Sequence, residues 1–234
     1  MHYHCLVKSD PAHAVTRHIV WDWNGTLLND VEACVRAANH MLARRSLQPL
    51  DTDRYRRIFG FPVRGYYAAL GFDLAREDWD ALAREFHDHY HAESRAVTLR
   101  DGIGAFLAEI SARDVPMSIL SASESSILTR MLREQGIEHH FQHVFGLSNL
   151  YAGSKMDLGR KLLDQLAIPP AQVLLVGDTI HDYEVACELE CRCVLLAGGH
   201  QATDRLQQCG CDVLTSPAAL LDVVRRESSE QSLS

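Results

Sequence analysis

A chain of 234 residues, 47% hydrophobic and 23% charged, has room for one large domain or a core with a smaller insert, and lacks the composition of a disordered protein. With 23 basic against 31 acidic residues its net charge is −8, which argues against a broad basic surface for nucleic acid or anionic membrane but leaves room for a local anion pocket. No stretch is apolar over the roughly 18 residues a membrane span needs, residues 1–14 hold no apolar signal core, and seven cysteines, an odd number, fit reduced thiols in the cytoplasm.

In chain order, residues 1–14 read as a terminal segment, and Ile19-Val20-Trp21 is the first short apolar run of a buried strand. Asp22-Trp23-Asn24-Gly25-Thr26-Leu27 follows it directly. Over 31–98 the pattern is helical only, with helices near 31–45, 53–58, 66–70 and 76–94, punctuated by Gly60, Pro62, Gly65 and Gly71. Strands and helices then alternate: helix 103–112, strand 117–120 ending on Ser121, helix 126–134 and strand Val144-Phe145. Lys155 stands ahead of helix 156–166. Strand 173–176 leads into Gly177-Asp178-Thr179-Ile180-His181-Asp182, then helix 183–189, strand 193–196, helix 218–226 and a polar tail at 227–234. This alternation predicts an α/β fold: a Rossmann-like three-layer core with a parallel sheet at 15–30 and 99–226, and an inserted small α-helical cap domain at 31–98.

Ligands of such sheets gather at the carboxyl ends of the strands, and four candidates stand there. Asp22 is a carboxylate able to carry a phosphoryl group. Asp22 with Asp178 offers the oxygen ligands that magnesium prefers, and Asp182 binds the metal or orients its waters. Ser121 supplies a hydroxyl and Lys155 a point charge for non-bridging phosphate oxygens. Gly25 allows a tight loop, and the Thr26 hydroxyl orients the nucleophile and faces the substrate. The chain has only three lysines, Lys8, Lys155 and Lys161, against 20 arginines, so Lys155 is not a sample of a lysine-rich surface.

The order Asp-x-Asn-Gly-Thr, then Ser, then Lys, then Gly-Asp-x-x-x-Asp resembles the haloacid dehalogenase superfamily, and the resemblance covers nearly the whole chain. It implies a magnesium-dependent phosphatase acting on a small phosphorylated metabolite, a helical cap of the phosphoglycolate phosphatase type, and the main-chain carbonyl of Asn24 as a further magnesium ligand. Only 34 positions separate Ser121 from Lys155, too few for the family's second kind of cap. The metal loop argues against dehalogenation. The insert has no lysine, which excludes the Schiff-base chemistry of phosphonoacetaldehyde hydrolases.

One position departs from the pattern. Family phosphatases usually carry a second aspartate where Asn24 stands, and an amide cannot shuttle a proton; such help is typically worth about 10²–10⁴-fold. Three situations stay open: a slow phosphatase with water or His181 carrying protons, a substrate whose leaving group needs little protonation, or a catalytically impaired phosphate-ligand-binding or regulatory protein of the same fold. Replacing Asn24 by Asp is expected to discriminate between them.

In the cap, Arg64 either pairs with a substrate carboxylate or second phosphate or is a solvated helix charge, while Phe59 and Phe61 read as packing residues. His87 and His91 share a helical face and read as solvated. Cys191/Cys193 and Cys209/Cys211 have the look of zinc half-sites, but Cys193 opens an apolar strand and packs as a small hydrophobe. Substrate identity and oligomeric state are not written in the sequence.

Overall fold

The computed structural model describes residues 15–148 and 154–230. The expected terminal segment 1–14, Gly153 and residues 231–234 lie outside the described residues. The chain begins with β1 (His18–Trp21), then α1 (Val31–Arg44), α2 (Thr52–Ile58), α3 (Val63–Leu70) and α4 (Trp79–Glu93) before α5 (Ile103–Ser111) and β2 (Met117–Glu124). The second half continues with α6 (Ser125–Glu134), β3 (Phe141–Leu147), α7 (Lys155–Leu166), β4 (Val173–Gly177) and α8 (Ile180–Glu188), and ends with β5 (Arg192–Leu196), α9 (Thr203–Leu206), β6 (Asp212–Leu214) and α10 (Pro217–Glu230).

The six strands form one sheet in the order β3-β2-β1-β4-β5-β6, and every pairing is parallel. Both faces are covered, which is why the strands read as continuous apolar runs. Alternate residues serve opposite faces. Ile19, Trp21, Ile119, Leu174 and Val176 meet Phe106 and Leu107 of α5, Leu128 of α6 and Leu220 of α10. Val20, Leu120, Val173 and Leu175 meet Leu162 of α7 and Val185 of α8. These are the three layers of a Rossmann-like core.

The helices between β1 and β2 have a core of their own. Val31, Cys34, Val35, Ala38, Met41 and Leu42 line one stripe of α1 at helical spacing and pack against Tyr66, Tyr67 and Leu70 of α3 and Leu82 and Tyr90 of α4. Asp51 caps α2 and Asp78 caps α4, each accepting from a backbone N–H of the first turn. This is the inserted α-helical cap.

The elements differ from the sequence expectation in a few places. β6 and α9 have no counterpart in it: β6 is a three-residue edge strand, too short to show an apolar period. β2 runs past Ser121 to Glu124, with a register irregularity against β3 between Leu120 and Glu124. β3 is wider than Val144-Phe145, because His143 and Gly146 interrupt its apolar pattern. α3 starts at Val63, so Gly65 sits in a helix instead of a turn. α7 starts on Lys155 itself, with the Ser154 side chain accepting from Asp157 N. Among the described residues, no helix is long and apolar enough to cross a membrane.

Candidate active site

Strand order decides where the chemistry can stand. β1 has β2 on one side and β4 on the other, so successive connections leave it in opposite directions and open a crevice at its carboxyl end. Trp21 pairs with Val176, so Asp22 emerges beside Gly177 and Asp178, and the Asp22 N–H donates to Val176 O at 2.9 Å. On the other side Ile119 pairs with Trp21, which places Ser121 one position beyond the level of Asp22. Lys155 enters from the first turn of α7, and Asp182 from the first turn of α8.

Five side chains are joined here: Asp22, Thr26, Lys155, Asp178 and Asp182. Lys155 Nζ donates to Asp22 Oδ1 and to Asp182 Oδ1, each at 2.5 Å. Thr26 Oγ1 lies 2.9 Å from Asp178 Oδ1 and 3.3 Å from Asp22 Oδ2, so its single proton is shared between two carboxylates. The second oxygen of Asp182 is already used: it accepts from Thr179 N, Thr179 Oγ1 and Asp178 N, closing a capping box on α8. That box aims Oδ1 at Lys155. Gly25 has φ +70°, and a Cβ there would run into the Asp178 carboxylate and the His200 ring, so only glycine fits.

The charges are all buried. Burial raises Asp22 to about 7 against the opposing Lys155 charge, with Asp182 and Asp178 adding to the rise. Burial also raises Asp178 to about 6, opposed by His200. Asp182 stays below the ordinary carboxylate range, because Lys155 and the hydrogen bonds from Lys155 and Thr179 outweigh its burial. Burial would lower Lys155, but the two carboxylates it joins hold it above its usual value.

Ligand atoms of Asp22, Asp178 and Asp182 lie within 4.8 Å of one another. Lys155 pairs with two of these three buried carboxylates, Asp22 and Asp182, and every ligand atom of the trio is oxygen. That donor set fits a hard divalent cation such as magnesium, which prefers carboxylate oxygens and substrate phosphate. The ligand atoms of a second trio, Asp30, Cys34 and His200, are equally close, but its groups are already bonded to one another and to neighbouring residues.

The remaining sequence candidates are placed as follows. Ser121 is buried, and its Oγ accepts from Ser123 N at 3.0 Å. Arg64 is exposed on α3, its guanidinium 5.5 Å above the Trp79 ring, and no described contact joins it to Asp22. His181 is half-buried, 3.5 Å from Glu184, with its ring against Phe61. Cys193 and Cys211 lie in an apolar cluster with Cys187 and Cys209, as packed thiols.

Sequence reasoning missed four residues. Asp30 is fully buried and receives Gly25 N, the Asn24 amide, the Tyr90 hydroxyl and His200 Nε2. Arg100 donates to Gly25 O at 2.7 Å and to Ala197 O at 2.5 Å, tying the loop after β1 to the end of β5. Asp30, at the N-cap position of α1, is the only one of the four with a positional signal. Tyr90, Arg100 and His200 come from three distant stretches with no motif to join them.

The sequence pattern of the family described as Haloacid dehalogenase-like hydrolase matches residues 19–196. The chain is 28% identical over 209 residues to the tyrosine-protein kinase PtkA of Mycobacterium tuberculosis, covering 88% of this chain and 70% of that protein. It is 29% identical over 180 residues to the phosphoglycolate phosphatase of Rhodospirillum rubrum, covering 72% and 74% of the two chains. A haloacid dehalogenase-like family hydrolase from Streptococcus pneumoniae superposes with a TM-score of 0.77 at 21% identity, over 89% of this chain and 98% of that one. The pattern match, the parallel sheet and the helices between β1 and β2 agree: the chain belongs to the haloacid dehalogenase-like hydrolase family.

Proposed function

We propose that this protein hydrolyses a small phosphorylated metabolite through an aspartyl-phosphate on Asp22, with magnesium as its cofactor. One observation carries the reading: the Asp22 carboxylate stands at the carboxyl end of the central strand, 2.5 Å from the Lys155 ammonium and beside Asp178 and Asp182. In this reading residues 15–30 and 99–226 are the catalytic core and 31–98 the cap that covers it, and reduced cysteines fit the cytoplasm.

Lys155 and Ser121 bind non-bridging oxygens of the substrate phosphate, with the Thr26 hydroxyl beside them. An Asp22 oxygen attacks phosphorus, the ester P–O bond breaks, and its electron pair leaves on the substrate oxygen. Water then attacks the phosphorus of the aspartyl-phosphate, returning the Asp22 carboxylate and inorganic phosphate. Asp22, Asp178 and the Asn24 main-chain carbonyl would hold magnesium, with Asp182 in support, and the ion would supply charge neutralisation for the phosphoryl oxygens. The Asn24 amide cannot transfer a proton, so the leaving oxygen takes its proton from solvent, which receives the one lost by the attacking water, and the site suits leaving oxygens of low basicity.

A second reading is a transferase that passes the phosphoryl group from Asp22 to a phenolic hydroxyl. It is favoured by the likeness to PtkA and by the amide at position 24, which activates no water. The test is phosphate release from a panel of alkyl, aryl and acyl phosphates, with magnesium or EDTA, beside Asp22→Asn. Turnover that needs both magnesium and Asp22 supports the phosphatase. A stable Asp22-dependent phospho-protein that discharges only to added tyrosyl peptide supports the transferase. Neither, from folded protein, would leave a ligand-binding role.

A further inference from the structure

Asn24 is held on three sides by residues that the proposed reaction does not use. Its Nδ2 donates to Asp30 Oδ2 at 2.7 Å and to the Tyr90 hydroxyl at 2.9 Å, and its Oδ1 accepts from Ser123 Oγ at 2.6 Å. Asp30 ends the core segment just ahead of α1, Tyr90 lies on α4 of the cap and Ser123 on β2 of the core, so one amide fastens the loop after β1 to both parts of the molecule.

Asp30 is the centre of this arrangement. Its Oδ1 accepts from Gly25 N at 2.8 Å and lies 3.3 Å from His200 Nε2. Its Oδ2 takes the Asn24 amide, the Tyr90 hydroxyl at 2.7 Å and the Cys34 thiol at 3.8 Å. A carboxylate offers about four lone-pair sites, so Asp30 has none to spare. His200 Nδ1 lies 2.8 Å from the Tyr55 hydroxyl, which fixes the imidazole between the cap and Asp30. Since Asp30 only accepts, whatever faces it from position 24 must donate. An amide does; an ionised carboxylate there would oppose the fully buried Asp30 across a hydrogen-bond distance.

We propose that Asn24 and Asp30 form a matched amide–carboxylate pair, with Asp30 the positioning residue that sets the nucleophile loop under the cap. The proposal rests on Asp22 being the nucleophile. It changes the meaning of the asparagine: the amide is required by its partner, and a single Asn24→Asp change does not restore a proton carrier. Exchanging the two groups keeps the amide–carboxylate bond, while the His200 ion pair becomes a neutral hydrogen bond and the Cys34 thiol loses its weak carboxylate acceptor. With N24D and D30N together, the amide moves to position 30 and donates to the carboxylate moved to position 24. The Tyr90 hydroxyl donates to that carboxylate as well, and the amide oxygen at position 30 still accepts from Gly25 N and His200.

The experiment is a cycle of four proteins: wild type, N24D, D30N and the double variant. Thermal unfolding midpoints are read alongside kcat and KM for magnesium-dependent hydrolysis of para-nitrophenyl phosphate. Each single change is expected to lower the midpoint by about 5 °C or more and kcat by about tenfold, with KM less affected. The double variant is expected to regain most of both. A merely structural pair would move the midpoint and leave kcat alone at temperatures well below it. N24D that folds like wild type with equal or faster turnover overturns the proposal, and so does a double variant no better than the worse single, or one that does not fold. If wild type releases no phosphate, the phosphatase reading falls, and the unfolding cycle still decides the pair: recovery in the double keeps it, additive losses remove it.

Discussion

Lys155 is the residue on which the charge balance of the site turns. Its ammonium is buried between two carboxylates, with Asp178 close by and no other cation bonded to Asp22 among the described residues. Removing one partner of a buried pair leaves uncompensated charge, at a cost of about 3–5 kcal/mol. Lys155→Met is therefore expected to abolish turnover and lower the unfolding midpoint, and saturating magnesium is expected to restore part of the stability but not the activity. A variant as stable as wild type without magnesium would show that Lys155 does not balance the charges of Asp22 and Asp182. Gly25→Ala makes a different demand. The positive φ alone costs roughly 1–2 kcal/mol in an L-residue, and the added methyl displaces Asp178 or His200. Loss of magnesium affinity together with kcat is the expected result, measured by titration of the folded variant.

At the scale of the elements, β1 and β2 are joined by more than their ladder. His18 Nε2 lies 2.8 Å from Ser118 Oγ inside the sheet, and burial, helped by His143, lowers the His18 pKa from 6.5 to about 4. The unfolded chain takes a proton below 6.5 that the folded chain refuses until about 4. The stability this histidine contributes is thus present above the unfolded value and is lost as pH falls from 6.5 toward 4. His18→Gln keeps a partner for Ser118 and removes the titration, so its midpoint should fall less steeply across that window. Parallel acid curves for the two proteins would dismiss His18 as the source. Elements also show how legible the sequence is. β1, β2, β4 and β5 announce themselves because a strand buried on both faces is a run of apolar residues with a polar break after it. The same break is where Asp22, Ser121 and Asp178 stand, so strand ends and chemistry are legible together. β6 and the Asp30–Tyr90–His200 contacts are not, since a three-residue edge strand has no period and residues brought together by folding share no spacing.

For the whole molecule, the acidic site sets a conflict between folding and function. Asp22 and Asp178 are raised from 3.8 to about 7 and about 6, mainly by burial. A raised carboxyl favours the folded state below its unfolded pKa, and that contribution disappears as pH rises through the folded value. The metal-free protein is therefore expected to lose stability as pH rises from 3.8 to about 7 on account of these groups. Metal ligation needs both carboxylates ionised, so magnesium should raise the midpoint more at about pH 7.5 than at about pH 5. An equal rise at both, followed by calorimetry, would falsify that account of the site.

The junction between cap and core is made largely by side chains that grip main chain. Arg56 donates to Gly199 O and Gly198 O, both at 2.9 Å. Arg205 donates to Arg56 O and Phe59 O, and Gln201 to Phe59 O. Every residue type presents a carbonyl, so mutational tolerance across this border should be lopsided. The gripping arginines are expected to be brittle under alanine scanning, while a residue that lends its carbonyl is constrained only where its side chain packs as well, as the Phe59 ring does against Tyr55, Tyr66 and His200.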